Sequence, residues 1–131
     1  MTLLFNKQFV NQEETDLVPG KIHTIRQNYN HWKNWNGKEI SIRTWEGKPY
    51  RSKQSEICRK LIYVQRIKLG HNETADGYKM WPVFYVPGKG RIDQKLLAEN
   101  DGFESEDEFT EWFYDYPDGE IAILHFTNFK Y

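Results

Sequence analysis

The chain of 131 residues has a single cysteine, Cys58, so it forms no internal disulfide, and the paired-cysteine spacings of zinc sites are missing. No run of 18 apolar residues exists, which excludes a transmembrane helix. The opening residues Met1 to Lys7 lack the long apolar core of a secretory leader. The four histidines, His23, His31, His71 and His125, fall in neither H-x-x-x-H nor H-E-x-x-H spacing, and Gly88-Lys89-Gly90 is neither a P-loop nor a G-x-G-x-x-G turn. No metal and no cofactor is therefore expected. What is plentiful is aromatic surface: five Trp, eight Tyr and eight Phe give a short chain enough apolar area for a packed core. One cytoplasmic domain spanning 1–131 is the expectation.

The formal charge of −1 hides a segregation. Between Gly20 and Gly70 there are twelve Lys or Arg against three acids, Glu39, Glu46 and Glu56. From Asp101 to Tyr131 there are nine acids and one base, Lys130. Cations interleaved with rings are what single-stranded nucleic acid requires, phosphates meeting the first and bases the second. The same cations also suit the solvated faces of strands, and charge alone favours that plainer reading.

Periodicity gives a coarse α+β outline. Phe9-Val10 and Leu17-Val18, about two turns apart, predict a short helix stopped by Pro19-Gly20. Strands are predicted over Lys21–Arg26, Glu39–Trp45, Ile57–Leu69, Lys79–Val86 and Ile121–Thr127, with Tyr50–Ser52 pairing back across the turn at Gly47 to Pro49. Asn28 to Asn36 reads as a polar loop carrying Trp32 and Trp35. Helices are predicted over Asp93–Glu99 and Ser105–Tyr114, the second opened by an S-x-x-E capping box and striped with Phe109, Trp112 and Phe113. About six strands and three short helices without βαβ alternation argue for a barrel-like α+β domain. Cys58 and His125 read as buried and satisfied residues.

Gly20-Lys21-Ile22-His23-Thr24-Ile25-Arg26 is the segment richest in chemistry. Strand alternation puts Lys21, His23 and Ile25 on one face and Ile22, Thr24 and Arg26 on the other, and a bulge after Gly20 would bring Lys21 and Thr24 to one mouth. A lysine whose pKa falls on burial can serve a neighbouring hydroxyl as base. The same cluster also suits an anion clamp, or an ordinary strand end with exposed cations.

This G-K-x-x-T-I-R segment, the Trp-rich loop and strand after it, and Leu97-Ala98-Glu99-Asn100-Asp101-Gly102-Phe103 running into the Ser105 box together resemble the ASCH domain family, small PUA-like β-barrels. The likeness runs from about Leu3 to Tyr131. It implies a PUA-like barrel with short flanking helices and a cleft for RNA or a modified nucleoside, with Arg26, His23, Trp32, Trp35 and Lys33 as ligand contacts. One branch of that family hydrolyses the acetyl amide of N4-acetylcytidine with a lysine, a threonine and a glutamate. The resemblance carries the first two onto Lys21 and Thr24. The glutamate has no exact counterpart, and the nearest acids are Asp101, the shorter stand-in, and Glu99. Binding of RNA or a nucleoside is accordingly the first expectation and amide hydrolysis by Lys21, Thr24 and Asp101 the alternative. A third reading makes the acidic C-terminal third a dock for a basic partner.

Overall fold

The structure, a computed structural model, describes residues 1–131. It is an α+β fold of two sheets and three short helices. No helix is long and apolar enough to cross a membrane. The smaller sheet is built on β3 (Glu39–Trp45), whose polar–apolar alternation runs over the whole predicted range. Strand β1 (Thr2–Phe5) lies parallel to it, from Thr2 opposite Ser41 to Phe5 opposite Thr44, and β4 (Gln54–Leu61) pairs antiparallel on its other side. The sequence pattern predicts no strand at 2–5. Four residues show no period, and their parallel partner lies some forty positions on.

The larger sheet is wholly antiparallel and runs β2 (His23–Gln27), β8 (Gly119–His125), β5 (Tyr63–Glu73), β6 (Lys79–Val86), β7 (Gly90–Arg91). Within β8, Ile121 to His125 are buried without a break. Strand β6 keeps its predicted limits. Helix α1 is Tyr29–Trp32; α2 (Gln94–Asn100) is capped by Asp93, whose carboxylate accepts the amides of Lys95 and Leu96. Helix α3 (Glu106–Phe113) is capped by Ser105 Oγ, which accepts the Glu108 amide at 3.1 Å, while three acids in its first turn face the positive end of the helix dipole. Phe109 and Phe113 of α3 pack on Phe84 of β6 with centroids 5.3 and 5.7 Å apart.

Six expectations are corrected. The helix at 9–18 is instead a 3₁₀ turn (Lys7–Phe9) and a tight hairpin in which Val10 pairs with Leu17 and Val18 donates to the Phe9 carbonyl. Asn11 Oδ1 gathers the amides of Thr15 and Asp16, so the spacing that looked like two helical turns is the two sides of a loop. The run 57–69 is two strands, because the chain leaves the small sheet at Leu61 and enters the large one at Tyr63. Ile62 between them is fully buried and exchanges backbone bonds with Gly37 and Lys38. With each sheet ending in its own edges, the ladders close no barrel. The Asn28–Asn36 loop contains α1, started by Asn28 in the left-handed region (φ 65°), followed by a 3₁₀ turn over Lys33–Trp35. Tyr50–Ser52 stays in the connecting loop, and pairing to β3 resumes at Gln54. Cys58 is only half buried.

Candidate functional site

Two chain turns converge where the sheets face each other. Gly20, at φ +86°, turns the chain into Lys21, and the Ile22 amide then donates to the Asn100 carbonyl at the end of α2. Helix α2 stops at Asp101, followed by Gly102 at φ +83°, a conformation that favours glycine. Glycine is required there twice over. A Cβ at 102 would stand 3.0 Å from Lys21 Cβ and 3.1 Å from its Cγ and Cδ. The Asp-Gly step thereby clears room for the lysine stem and delivers the Asp101 carboxylate to its head.

The Lys21 ammonium donates to the Asp101 carbonyl at 2.6 Å and to its Oδ1 at 3.2 Å. The two side chains are 2 and 4 % exposed, so this is an ion pair withdrawn from water. It also stands 4.7 Å from the Phe9 ring centroid and 5.5 Å from that of Phe5. Burial pushes the Lys21 pKa below the ordinary lysine value, with the Asp101 charge opposing. Because β2 begins only at His23, strand alternation does not bind Lys21, and it reaches the cavity that Thr24 and Arg26 reach from within the strand.

That cavity holds about 250 Å³. Asn6, Lys21, Thr24, Arg26 and Asp101 supply its polar lining, and Phe5, Phe9, Trp112 and Tyr116 most of its rings. Arg26 is fixed across it: Nη1 donates to the Ile25 carbonyl and Nη2 to the Leu4 carbonyl of the opposite sheet at 3.1 Å, with the guanidinium 5.0 Å from the Phe5 centroid. Burial pushes its pKa below the ordinary arginine value, against the pull of Asp101 and Tyr116. Two cations and one carboxylate leave the lining one positive charge in excess.

Behind the cavity a hydrogen-bonded chain holds the carboxylate. His23, with no exposed surface, has Nδ1 3.1 Å from Asp101 Oδ1 and Nε2 2.6 Å from the Tyr131 hydroxyl. Asn100 Nδ2 donates to the same hydroxyl oxygen at 3.0 Å. Burial pushes the Tyr131 phenol up, so its hydroxyl keeps its proton. Gln65 grips the Tyr131 backbone from both sides, accepting its amide and donating to its carbonyl.

Lys21, Thr24, Arg26 and Asp101 thus share one cavity, whereas Glu99 is exposed and lies outside its lining. The other sequence candidates are elsewhere. His23 stands behind the cavity as a partner of Asp101. Trp32 is a core residue, 9 % exposed, because α1 turns it inward, and Trp35 packs half-buried against the core with the Lys38 ammonium 5.3 Å over its ring. Lys33 is exposed and lines no part of the cavity. The role expected of the two tryptophans is taken by Phe5, Phe9, Trp112 and Tyr116, of which only Trp112 had a sequence signal, the stripe on α3. Part of the basic surplus is spent on partners: Arg59 on Glu39 and Glu56, Lys60 on Asp16, Arg66 on Glu120. His125 is only half satisfied. Its Nε2 meets Gln65 Oε1 at 2.8 Å, its Nδ1 is buried without a partner, and burial next to His23 pushes its pKa down to about 4. No three His, Cys, Asp or Glu side chains gather as a metal site.

No protein-family model, curated protein or solved structure matches this chain.

Proposed function

We propose that the cavity binds a single nucleoside or nucleobase. The observation that carries this reading is that Lys21, Thr24, Arg26 and Asp101 line one ring-walled cavity of about 250 Å³. That volume lies just below the range of ligand clefts, which run from about 300 Å³ upward, so it suits one base and not a strand of RNA. Aromatic walls offer faces and edges for a flat heterocycle, and Lys21, Arg26 and Asp101 offer donors and an acceptor for its polar edge. The likeness of the G-K-x-x-T-I-R segment to ASCH domains, and so to a PUA-like ancestry, supports the same ligand class. Calorimetric titration with cytidine and N4-acetylcytidine tests it. Saturable binding weakened about tenfold or more in Thr24→Val and in Trp112→Ala is expected, and heat-silent titrations with every free nucleoside would overturn it.

A second reading, amide hydrolysis, is favoured by one observation: the lysine pushed toward its neutral form by burial lines the same cavity as a threonine hydroxyl. In this reading Lys21 is the base, Thr24 the nucleophile and Asp101 the group that orients the lysine. Release of cytidine from N4-acetylcytidine, followed by chromatography and abolished in Lys21→Met and Thr24→Val, is the expected result. Turnover that survives Thr24→Val would remove threonine as nucleophile.

A further inference from the structure

At the far end of the larger sheet the chain leaves an aromatic floor uncovered. Trp81 is 56 % exposed, Met80 42 % and Tyr78 72 %, and the Trp81 ring stands edge-on to Tyr114, 5.6 Å between centroids. Two adjoining cavities of about 420 and 490 Å³ share Met80, Trp81 and Glu111, and together form one long groove. Its wall is α3 and the turn after it, carrying Glu106, Asp107, Glu111 and Asp115. None of these four acids enters any of the protein's ion pairs. Two cations, Lys79 and Arg91, line the groove against these four acids.

Three further features define what fits. The edge of β6 is open here: β7 covers only Tyr85 and Val86, with Ile92 reaching the Phe84 carbonyl, so residues 79–83 have β5 on one side and no strand on the other. That edge offers its backbone groups to an extended chain, except at Pro82, which has no N–H, and at the Lys79 carbonyl, which accepts the Tyr114 hydroxyl at 3.2 Å. Second, Gln94 on the groove wall donates through Nε2 to Thr110 Oγ1, whose own proton goes to the Glu106 carbonyl; this leaves Gln94 Oε1 buried without a donor. Third, the Lys79 ammonium already stands 5.6 Å from the Tyr114 centroid, so these rings accept a cation in the folded protein.

We propose that this groove docks an extended, cationic segment of a partner polypeptide, its backbone along the open edge of β6, its arginine or lysine side chains on Trp81 and the α3 carboxylates. An extended segment points alternate side chains the same way, so a Lys or Arg at every second position would face the acids and the Trp81 ring while apolar residues between them meet Met80. The unpaired acids repel phosphate backbones, which argues against nucleic acid on this face. The proposal is independent of the ligand of the inter-sheet cavity.

The probe is the peptide acetyl-Val-Arg-Val-Lys-Val-Arg-amide, titrated into the full chain by calorimetry. Saturable binding is expected, weakened about tenfold or more in the pair Asp107→Asn with Glu111→Gln, severalfold in Trp81→Ala, and again by raised ionic strength. Each variant is first checked for an unchanged thermal midpoint, so that lost binding is not lost folding. Absence of binding, equal binding of the Glu-substituted peptide, or unchanged affinity in the carboxylate variant would overturn the proposal. Equal binding of the blocked isomer, Arg-Lys-Arg-Val-Val-Val, would overturn the strand-like mode. Concentration-dependent dimerisation abolished in Arg51→Ala would give the groove to the basic 46–53 loop of a second copy, and so overturn the partner named here.

Discussion

The molecule has two concave regions, and they treat charge in opposite ways. In the cavity between the sheets, Lys21 and Asp101 are removed from water and tied to each other, and the carboxylate is held from behind by His23, Tyr131 and Asn100. Along β6 and α3 four carboxylates stand in solvent with no partner. The difference is one of precision against reach. A buried pair costs desolvation on both members and is retained only where geometry and further hydrogen bonds offset that cost, so its value lies in fixed position. Exposed unpaired charges cost the fold little and act at a distance on whatever approaches.

The contrast makes graded predictions. Asp101→Asn leaves the Lys21 ammonium buried without a counter-charge and should cost about 3–5 kcal/mol, read from chemical denaturation. The double variant Lys21→Met with Asp101→Asn removes both charges and should recover a large part of that loss. A double variant no more stable than Asp101→Asn would show that the carboxylate matters through His23 and not through the lysine. Gly102→Ala comes next: it strains a residue at φ +83° and pushes a methyl against the lysine stem, for an expected loss of about 2 kcal/mol by the same measurement.

Third is an acid response. His125 binds a proton near pH 6.5 when unfolded but only near pH 4 when folded, since burial and the neighbouring His23 disfavour its charge. Protons therefore favour the unfolded chain, and the contribution is whole above pH 6.5 and lost as the pH falls toward 4. A His125→Gln variant should show a flatter stability profile across that window than the parent. The smallest effect belongs to the groove. Glu111→Gln should leave stability within about 0.5 kcal/mol of the parent, and a larger loss would mean that the α3 carboxylates are structural after all.

How much of this was legible in the sequence follows the distance over which the relevant contacts act. The strands at 39–45 and 79–86 and the two capped helices rest on local period and local caps, and their limits were close to those observed. The gathering of Lys21, Thr24, Arg26 and Asp101 rested on a motif read against a family likeness, not on spacing. Tyr131 and Gln65 had no signal at all, since the first meets His23 across 108 positions and the second meets Tyr131 across 66. Trp32 misled because a four-residue helix is too short to show a period, and only the fold tells whether such a ring points in or out. At Ile62 the apolar pattern continues unbroken while the chain changes sheets, so composition there carries no mark of the boundary.

That crossing at Ile62 also makes the molecule behave like a book. One cover is the small sheet and the other the large sheet, and the spine is the point where a single strand run passes between them, pinned to Gly37 and Lys38. The cavity lies at the opposite end of β3, beside Phe5 and Thr44, about five residues or ~16 Å from the spine. There the Arg26 bond to the Leu4 carbonyl ties one cover to the other.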